Sequence, residues 1–378
     1  MYLALKQCLA GTAEQYLTDN GDQSMDRLPS GVYFESYEKD MAVVQTNGRW
    51  LLLVSFLAFL FLLPLSGNER ILAVLNAAAI STIAALGLNI LTGMCGQISL
   101  GHAAFVCVGA YVSAILTTRL GLPFWAGLII APFAAGCVGI AFGLPSLRVK
   151  GFYLIMATLA AQIILVNFLP YQLGELTAAD TGLPVNPPQI GGIVLDTEGK
   201  IYYLMVGLAA LMTFFSKNIA RTKMGRAFVA IRDRDLAATV LGVPVYRYKL
   251  LAFFIGCFYA GLAGALFAHY TRIVTPEFFS IDMSILYLGM IIVGGMGRTA
   301  GSVIGAVFFT CLTELTNALA PLISESVPYL ERSVFTFLNL AIPAILIAIF
   351  MIYEPRGLFH RWEIMKAYFQ WWPYSKVT

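Results

Sequence analysis

Chemistry at a protein site needs polar or ionisable groups in company, and this chain supplies few of them. His102, His269 and His360 are too scattered to suggest the ligands of a metal centre. The cysteines Cys8, Cys95, Cys107, Cys137, Cys257 and Cys311 form no CxxC pair, and all but Cys8 lie in or beside apolar runs, as small buried hydrophobes do. There is no HExxH, no GxSxG and no Walker A sequence. Gly295-Met296-Gly297 is no nucleotide loop either, because no Gly-Lys-[Ser/Thr] follows it and its surroundings are apolar. No acid, base and nucleophile can be grouped, so no catalytic residue, metal or cofactor is expected. What remains is the chemistry of holding and passing a solute.

Two regions offer groups for that task. Between residues 86 and 111, LGLNILTGMCGQISLGHAAFVCVGAY, the glycines Gly93, Gly96 and Gly101 interrupt an apolar run, and Asn89, Gln97, Ser99 and His102 bring polarity into it. In the second half, Gly294, Gly295, Gly297 and Gly301 make a similar break. Paired glycine breaks point to a substrate route in transporters; tight helix packing, with the polar groups satisfied by neighbours, is the plain alternative. His102 alone reads as a hydrogen-bonded structural histidine. Glu314 is the one acid well inside an apolar run. A charge at the bilayer centre costs about 3 kcal/mol, so Glu314 must reach water or a partner. The substrate-path candidates are therefore Asn89, Gly96, Gln97, Ser99, Gly101, His102, Gly294, Gly295 and Glu314.

The elements that must position these residues are membrane helices. The chain is 59% hydrophobic and 12% charged, where a soluble domain carries roughly a quarter charged residues. A soluble fold would expose large apolar patches. The expectation is an all-α, polytopic transmembrane helical bundle of eight to ten spans with glycine-broken or re-entrant segments. Apolar runs at 51–66, 71–92, 99–118, 124–144, 151–170, 201–216, 250–270, 283–295, 300–319 and 333–353 are the candidates. The run 283–295 is too short for a full span and reads as a half-helix or re-entrant piece.

Charge sets the expected orientation. The loop 217–249 holds Lys217, Arg221, Lys223, Arg226, Arg232, Arg234, Arg247 and Lys249 against Asp233 and Asp235, so it is expected in the cytoplasm. The loop 171–200 is acidic and is expected outside. Both termini then fall in the cytoplasm. Residues 1–50 are a polar, acidic cytoplasmic extension rather than a signal peptide. Residues 51–353 form the transmembrane domain, and 354–378 a cytoplasmic tail.

Within the basic loop, GRAFVAIRDRDLAATVLGVPVYRYKLLAF from Gly225 to Phe253 starts with good helix formers, and Gly242 and Pro244 stop them. The expected product is one short amphipathic helix with Phe228, Ile231, Leu236 and Val240 largely to one side. A solvated basic connector needs neither the stop signal nor the apolar face, which suggest a docking knob for a cytoplasmic partner.

This segment resembles the cytoplasmic coupling region of ABC-importer permeases, and especially of the branched-chain amino acid permease family. The shared residues are Gly225-Arg226-Ala227, Ala230-Ile231-Arg232-Asp233, Ala237-Ala238 with Gly242, and Arg247-Tyr248-Lys249-Leu250 with Ala252-Phe253. Leu236 stands where many ABC importers have a docking Glu. Further resemblances lie at Gly87-Leu88-Asn89, at Gly96-Gln97-Ile98-Ser99-Leu100-Gly101-His102, at Gly109-Ala110-Tyr111, from Gly143 to Ala160, and from Gly294 to Ala306. Together they run from about residue 80 to 310 in order.

The resemblance implies a permease subunit of an ATP-driven importer in the bacterial inner membrane, moving branched-chain or other amino acids. Its relatives also handle urea, short amides and other small polar or aromatic acids. It implies two cytoplasmic ATPase subunits, a second homologous permease, an external substrate-binding protein and contact with lipid, and no nucleic acid. Gly225, Arg226, Arg232, Asp233, Asp235, Leu236, Ala237, Ala238 and Gly242 would then form the ATPase-coupling surface. The alternative is an ion-coupled secondary transporter, which needs intramembrane ionisable groups. His102 and Glu314 are a thin supply.

Overall fold

The computed structural model describes residues 60–146, 152–190, 193–324, 331–354 and 357–371, with scattered positions from 51 to 58. The extension 1–50, several positions of the expected span 51–66 and the last residues of the tail lie outside the described residues. The chain divides into two compact units, Met1–Ser66 with Lys366–Thr378, and Gly67–Met365. The second carries everything below.

Its helices are α1 (Glu69–Leu88), α2 (His102–Thr118), α3 (Phe124–Ser146), α4 (Phe152–Gln162), α5 (Glu198–Arg221), α6 (Lys223–Asp233), α7 (Asp235–Val240), α8 (Val245–Thr271), α9 (Ile281–Gly294), α10 (Thr299–Ser324), α11 (Glu331–Tyr353) and α12 (Leu358–Trp371). Helix α1 continues as a π-helix over Asn89–Met94, and α4 as another over Ile163–Phe168. Among the described residues six helices are long and apolar enough to cross a membrane, or seven if the bent pair Ala341–Tyr353 and Leu358–Lys366 is one span. Helices α2 and α9 are apolar but short, with 17 and 14 residues. At 1.5 Å per residue they reach only about 26 Å and 21 Å, against a hydrocarbon core of roughly 30 Å. The half-helix expected near 283–295 is thus present, and α2 is a second one.

Helix α8 runs through the middle. Lipid tails are as apolar as the side chains, so helices in a membrane associate through close packing rather than burial from water. Small residues supply that closeness. A methyl group on Gly264 would lie 2.0 Å from the Val106 carbonyl of α2, and one on Gly261 would lie 2.5 Å from the Ala135 side chain of α3. On α1, a methyl on Gly87 would meet the Gly256 carbonyl of α8 at 2.7 Å. Ile129, Phe133, Phe214 and Ile349 are exposed and suit a lipid-facing perimeter.

The loop 171–200 folds into more than a connector. Leu183–Pro184 (β1) pairs antiparallel with Ile273–Val274 (β4), and Gln189–Ile190 (β2) with Ile193–Val194 (β3). Strands of two residues are too short to leave a periodic trace in sequence. Below, the end of the bundle bearing this loop is called the acidic end, and that bearing 217–249 the basic end.

The basic loop departs from the single helix expected. It is two helices, α6 and α7, broken at Arg234 (φ −156, ψ 104). Gly225 lies inside α6 rather than ahead of it, and Gly242 ends the segment with φ +84. The break redirects the apolar face. Phe228 and Ile231 are buried in the bundle, whereas Leu236, Val240 and Leu241 are 74%, 86% and 81% exposed.

Candidate functional site

Both glycine breaks turn at the basic end, and Arg232 joins them there. The π turn at Asn89–Met94 widens the last turn of α1, a distortion often found at functional sites. Arg232 Nη1 donates to the Gly93 carbonyl of that turn at 3.0 Å, while Nε donates to Asp233 Oδ1 at 3.2 Å. The backbone N–H of Gly297, in the turn between α9 and α10, donates to Asn89 Oδ1 at 2.8 Å. These three segments meet with no room to spare. A methyl on Gly93 would lie 2.1 Å from Asn89 Oδ1 and 2.5 Å from the Gly297 nitrogen, and one on Gly297 would lie 2.9 Å from Arg232 Nη1. Gly297 also has φ +82, which other residues rarely adopt. A hydrogen bond from a charged group contributes about 1.5–3 kcal/mol, so the Arg232 contact is a firm tie.

Two more links complete this junction. Gln97 Nε2 donates to the Lys249 carbonyl at 3.1 Å, and Lys249 Nζ lies 3.7 Å from Asp235 Oδ2. On the far side of the Gly294–Arg298 turn, Arg298 pairs with Glu363 of α12 and stacks over Phe359 at 5.3 Å. Gly357 packs so closely that a methyl there would lie 2.6 Å from Gly295 Cα. The turn is held between the basic loop and the tail helix.

From Gly96 the chain climbs back into the bundle. His102 Nε2 lies 2.9 Å from the carbonyl of Ala84 on α1, so α2 begins well inside the membrane span. Helix N-termini leave backbone N–H groups unpaired, and no water is at hand here. Side chains from elsewhere cap them. Leu100 N–H donates to Thr158 Oγ1 at 3.1 Å, Ala103 N–H to Ser284 Oγ at 3.0 Å, and Ala104 N–H to Gln162 Oε1 at 2.9 Å. Gln162 Nε2 in turn donates to the Phe279 carbonyl at 2.6 Å.

The structure places the substrate-path candidates in two groups and Glu314 apart from both. Ser99, Gly101 and His102 are fully buried, and a methyl on Gly101 would lie 2.2 Å from the Thr158 carbonyl. Gly294 faces Gly301, where a methyl would lie 2.0 Å from that residue's carbonyl. Asn89, Gly96, Gln97 and Gly295 belong to the basic-end junction. In this structure the polar breaks are closely packed, capped or bonded within the turn. Gln162, Thr158 and Ser284 were missed in sequence. Their only trace was polarity within apolar runs, which does not name a partner. His269 has both ring nitrogens engaged, by Ser113 Oγ at 3.1 Å and the Asn186 carbonyl at 3.1 Å.

The coupling candidates also sort by burial. Arg226, Arg232, Asp233, Leu236 and Ala237 are exposed, whereas Gly225 and Ala238 are buried. A methyl on Gly225 would lie 2.4 Å from the Ile219 carbonyl, so this glycine lets α6 turn against α5.

Glu314 stands apart. It lines a cavity of about 370 Å³ toward the acidic end, between α1, α8, α9 and α10. Arg70, Tyr270 and Asn317 share its polar wall, with Ala77, Leu286 and Met290 among the apolar lining. Glu314 thus reaches a space water can fill, as a charge inside a span must. His102 does not line this cavity.

Residues 70–351 match the family model described as branched-chain amino acid transport system / permease component. The high-affinity branched-chain amino acid transport system permease protein LivM of Escherichia coli (strain K12) is 30% identical over 289 residues, which cover 70% of this chain and 68% of that protein. The probable branched-chain amino acid transport permease protein LivM of Methanocaldococcus jannaschii is 23% identical over 314 residues, covering 73% of this chain and 89% of the relative. The permease protein LivH of Escherichia coli (strain K12) is 24% identical over 304 residues, covering 75% and 92%. No solved structure matches the chain. The family match takes in α1, the basic loop and the glycine turn after α9 alike, and the chain belongs to the branched-chain amino acid transport system permease family.

Proposed function

We propose that the chain is a permease subunit of an ATP-driven importer for branched-chain or other amino acids. It would work beside a second homologous permease, over two cytoplasmic ATPase subunits, and under an external binding protein. The basic end would face the cytoplasm, as would both termini. One observation carries the reading: the basic loop is built in two parts with different jobs. Helix α6 buries Phe228 and Ile231 and ties Arg232 to the Gly93 turn. Helix α7 and its end present Leu236, Val240 and Leu241 outward. A connector has no use for an exposed apolar tip on an anchored base, whereas an ATPase docking lever does. Movement of α7 would pass through Arg232 to the end of α1 and the turn between α9 and α10. The family supports a transport role rather than an enzymatic one.

Mild-detergent purification of the tagged chain, followed by leucine uptake into proteoliposomes, tests this. Co-purification of two ATPases and a second permease, with uptake that stops when ATP is withheld, is the expected result. A chain recovered alone, whose uptake persists without ATP and collapses with the proton gradient, would replace this reading with an ion-coupled transporter.

A further inference from the structure

The cavity beside Glu314 has a shape and chemistry that the basic-end junction lacks. It opens along α1 from Arg70 to Ser81, about 16 Å of helix at 1.5 Å per residue. Its volume of about 370 Å³ falls at the small end of the roughly 300–1,000 Å³ typical of small-molecule sites. Its lining holds one basic and one acidic side chain, Arg70 and Glu314. Among the described residues neither is in an ion pair. The nearby Glu198 is differently placed. Its Oε2 accepts from Asn76 Nδ2 at 2.9 Å, and it is not part of the cavity lining. Glu314 is therefore the acid offered to the cavity. The same cavity is lined by Ala73, Val74, Ala77, Leu286 and Met290, an apolar wall.

One side chain of each charge and an apolar wall in one cavity match one class of solute, an α-amino acid zwitterion with an aliphatic side chain. We propose that this cavity is the substrate pocket at the acidic end of the permease. Arg70 takes the α-carboxylate, Glu314 the α-ammonium, and the Ala77–Leu286–Met290 wall the side chain. Arg suits a carboxylate because its planar fork donates two parallel hydrogen bonds. The site deepens the importer reading and rests on it for direction and energy. It would receive the amino acid from the outside and hold it above the closed junction at Gly93 and Gly297.

The test uses the assembled complex in proteoliposomes, with binding protein outside and ATP inside, and leucine as the probe. Glu314→Gln and Arg70→Gln should each lower leucine carried per ATP hydrolysed by roughly ten-fold or more, the loss of one charge-assisted hydrogen bond. Assembly and ATP hydrolysis should persist, and Glu314→Asp should recover much of the loss. An unchanged ratio of leucine to ATP in both charge-removing variants would overturn the site. A second variant needs no ATP. Thr313→Cys, made with Cys311→Ser to remove the neighbouring exposed thiol, should react with a membrane-impermeant thiol reagent added outside, and excess leucine should slow it. No reaction would mean that lipid or the second permease covers the cavity, and the proposal fails. Labelling that leucine slows, in a complex that takes up leucine without ATP, would keep the site and remove the importer reading.

Discussion

The Arg232 guanidinium is held from two sides, by Asp233 on the Nε edge and by the Gly93 carbonyl on Nη1. Lysine at this position would keep a charge but not the fork that serves both acceptors. Arg232→Lys should therefore lower ATP-driven leucine uptake, and Arg232→Ala should lower it further, by roughly ten-fold or more, the worth of one charge-assisted bond. The amount of complex recovered should not change, because Arg232 sits on a half-exposed surface. Uptake into proteoliposomes at equal protein measures this, and full activity in Arg232→Ala would take the residue out of the coupling path. The charge of Arg232 was visible in sequence. Its partner was not, because the acceptor is a backbone carbonyl 139 residues away and every residue has such a group. The same holds for Asn89, whose amide oxygen receives the Gly297 N–H. Polarity in an apolar run says that a partner exists and nothing about which one.

At the scale of elements, the basic loop shows what periodicity reads well and what it misreads. Its helical character, its stop at Gly242 and its amphipathic nature were legible from Gly225 to Pro244. The break at Arg234 was not, since Arg-Asp-Arg-Asp is compatible with an unbroken helix. That break decides where each apolar residue points. Ala237 and Ala238 seemed equivalent docking positions, yet Ala238 is buried and Ala237 exposed. A bulky charge at 238 would damage the subunit itself. The sharper test is Leu236→Asp with Val240→Asp, both at exposed sites, where substitutions usually alter stability by no more than about 0.5 kcal/mol. This pair should leave thermal stability of the isolated chain unchanged and prevent capture of the ATPases. A pull-down that still recovers both ATPases would show that α7 is not the docking tip. The half-helix α9 was legible from its short apolar run, whereas α2 read as a full span. The caps of α2 were not legible, because Gln162, Thr158 and Ser284 come from separate stretches of chain brought together only by folding.

For the whole molecule, composition and the run of apolar segments were enough for a polytopic helical membrane protein, and family and spans together make it an integral inner-membrane protein. Its two ends are unlike, one bearing the acidic loop with its short β pairs, the other the basic loop. The positive-inside rule puts the basic end in the cytoplasm in the proposed orientation. Leu241→Cys should react with an impermeant thiol reagent only in inside-out vesicles, and Asn186→Cys only in right-side-out ones. The opposite pattern would invert the importer. The basic-end junction draws on Asn89 and Gly93 from early in the chain, Arg232 from its middle, Gly297 from its second half, and Phe359 and Glu363 from near its end. A ribosome adding roughly 5–20 residues per second delivers the first of these tens of seconds before the last. Until then the turn around Gly295 waits in the bilayer without the helix that covers it. Birth order thus means that a chain released early would leave the Gly295 turn uncovered and Arg298 without Glu363.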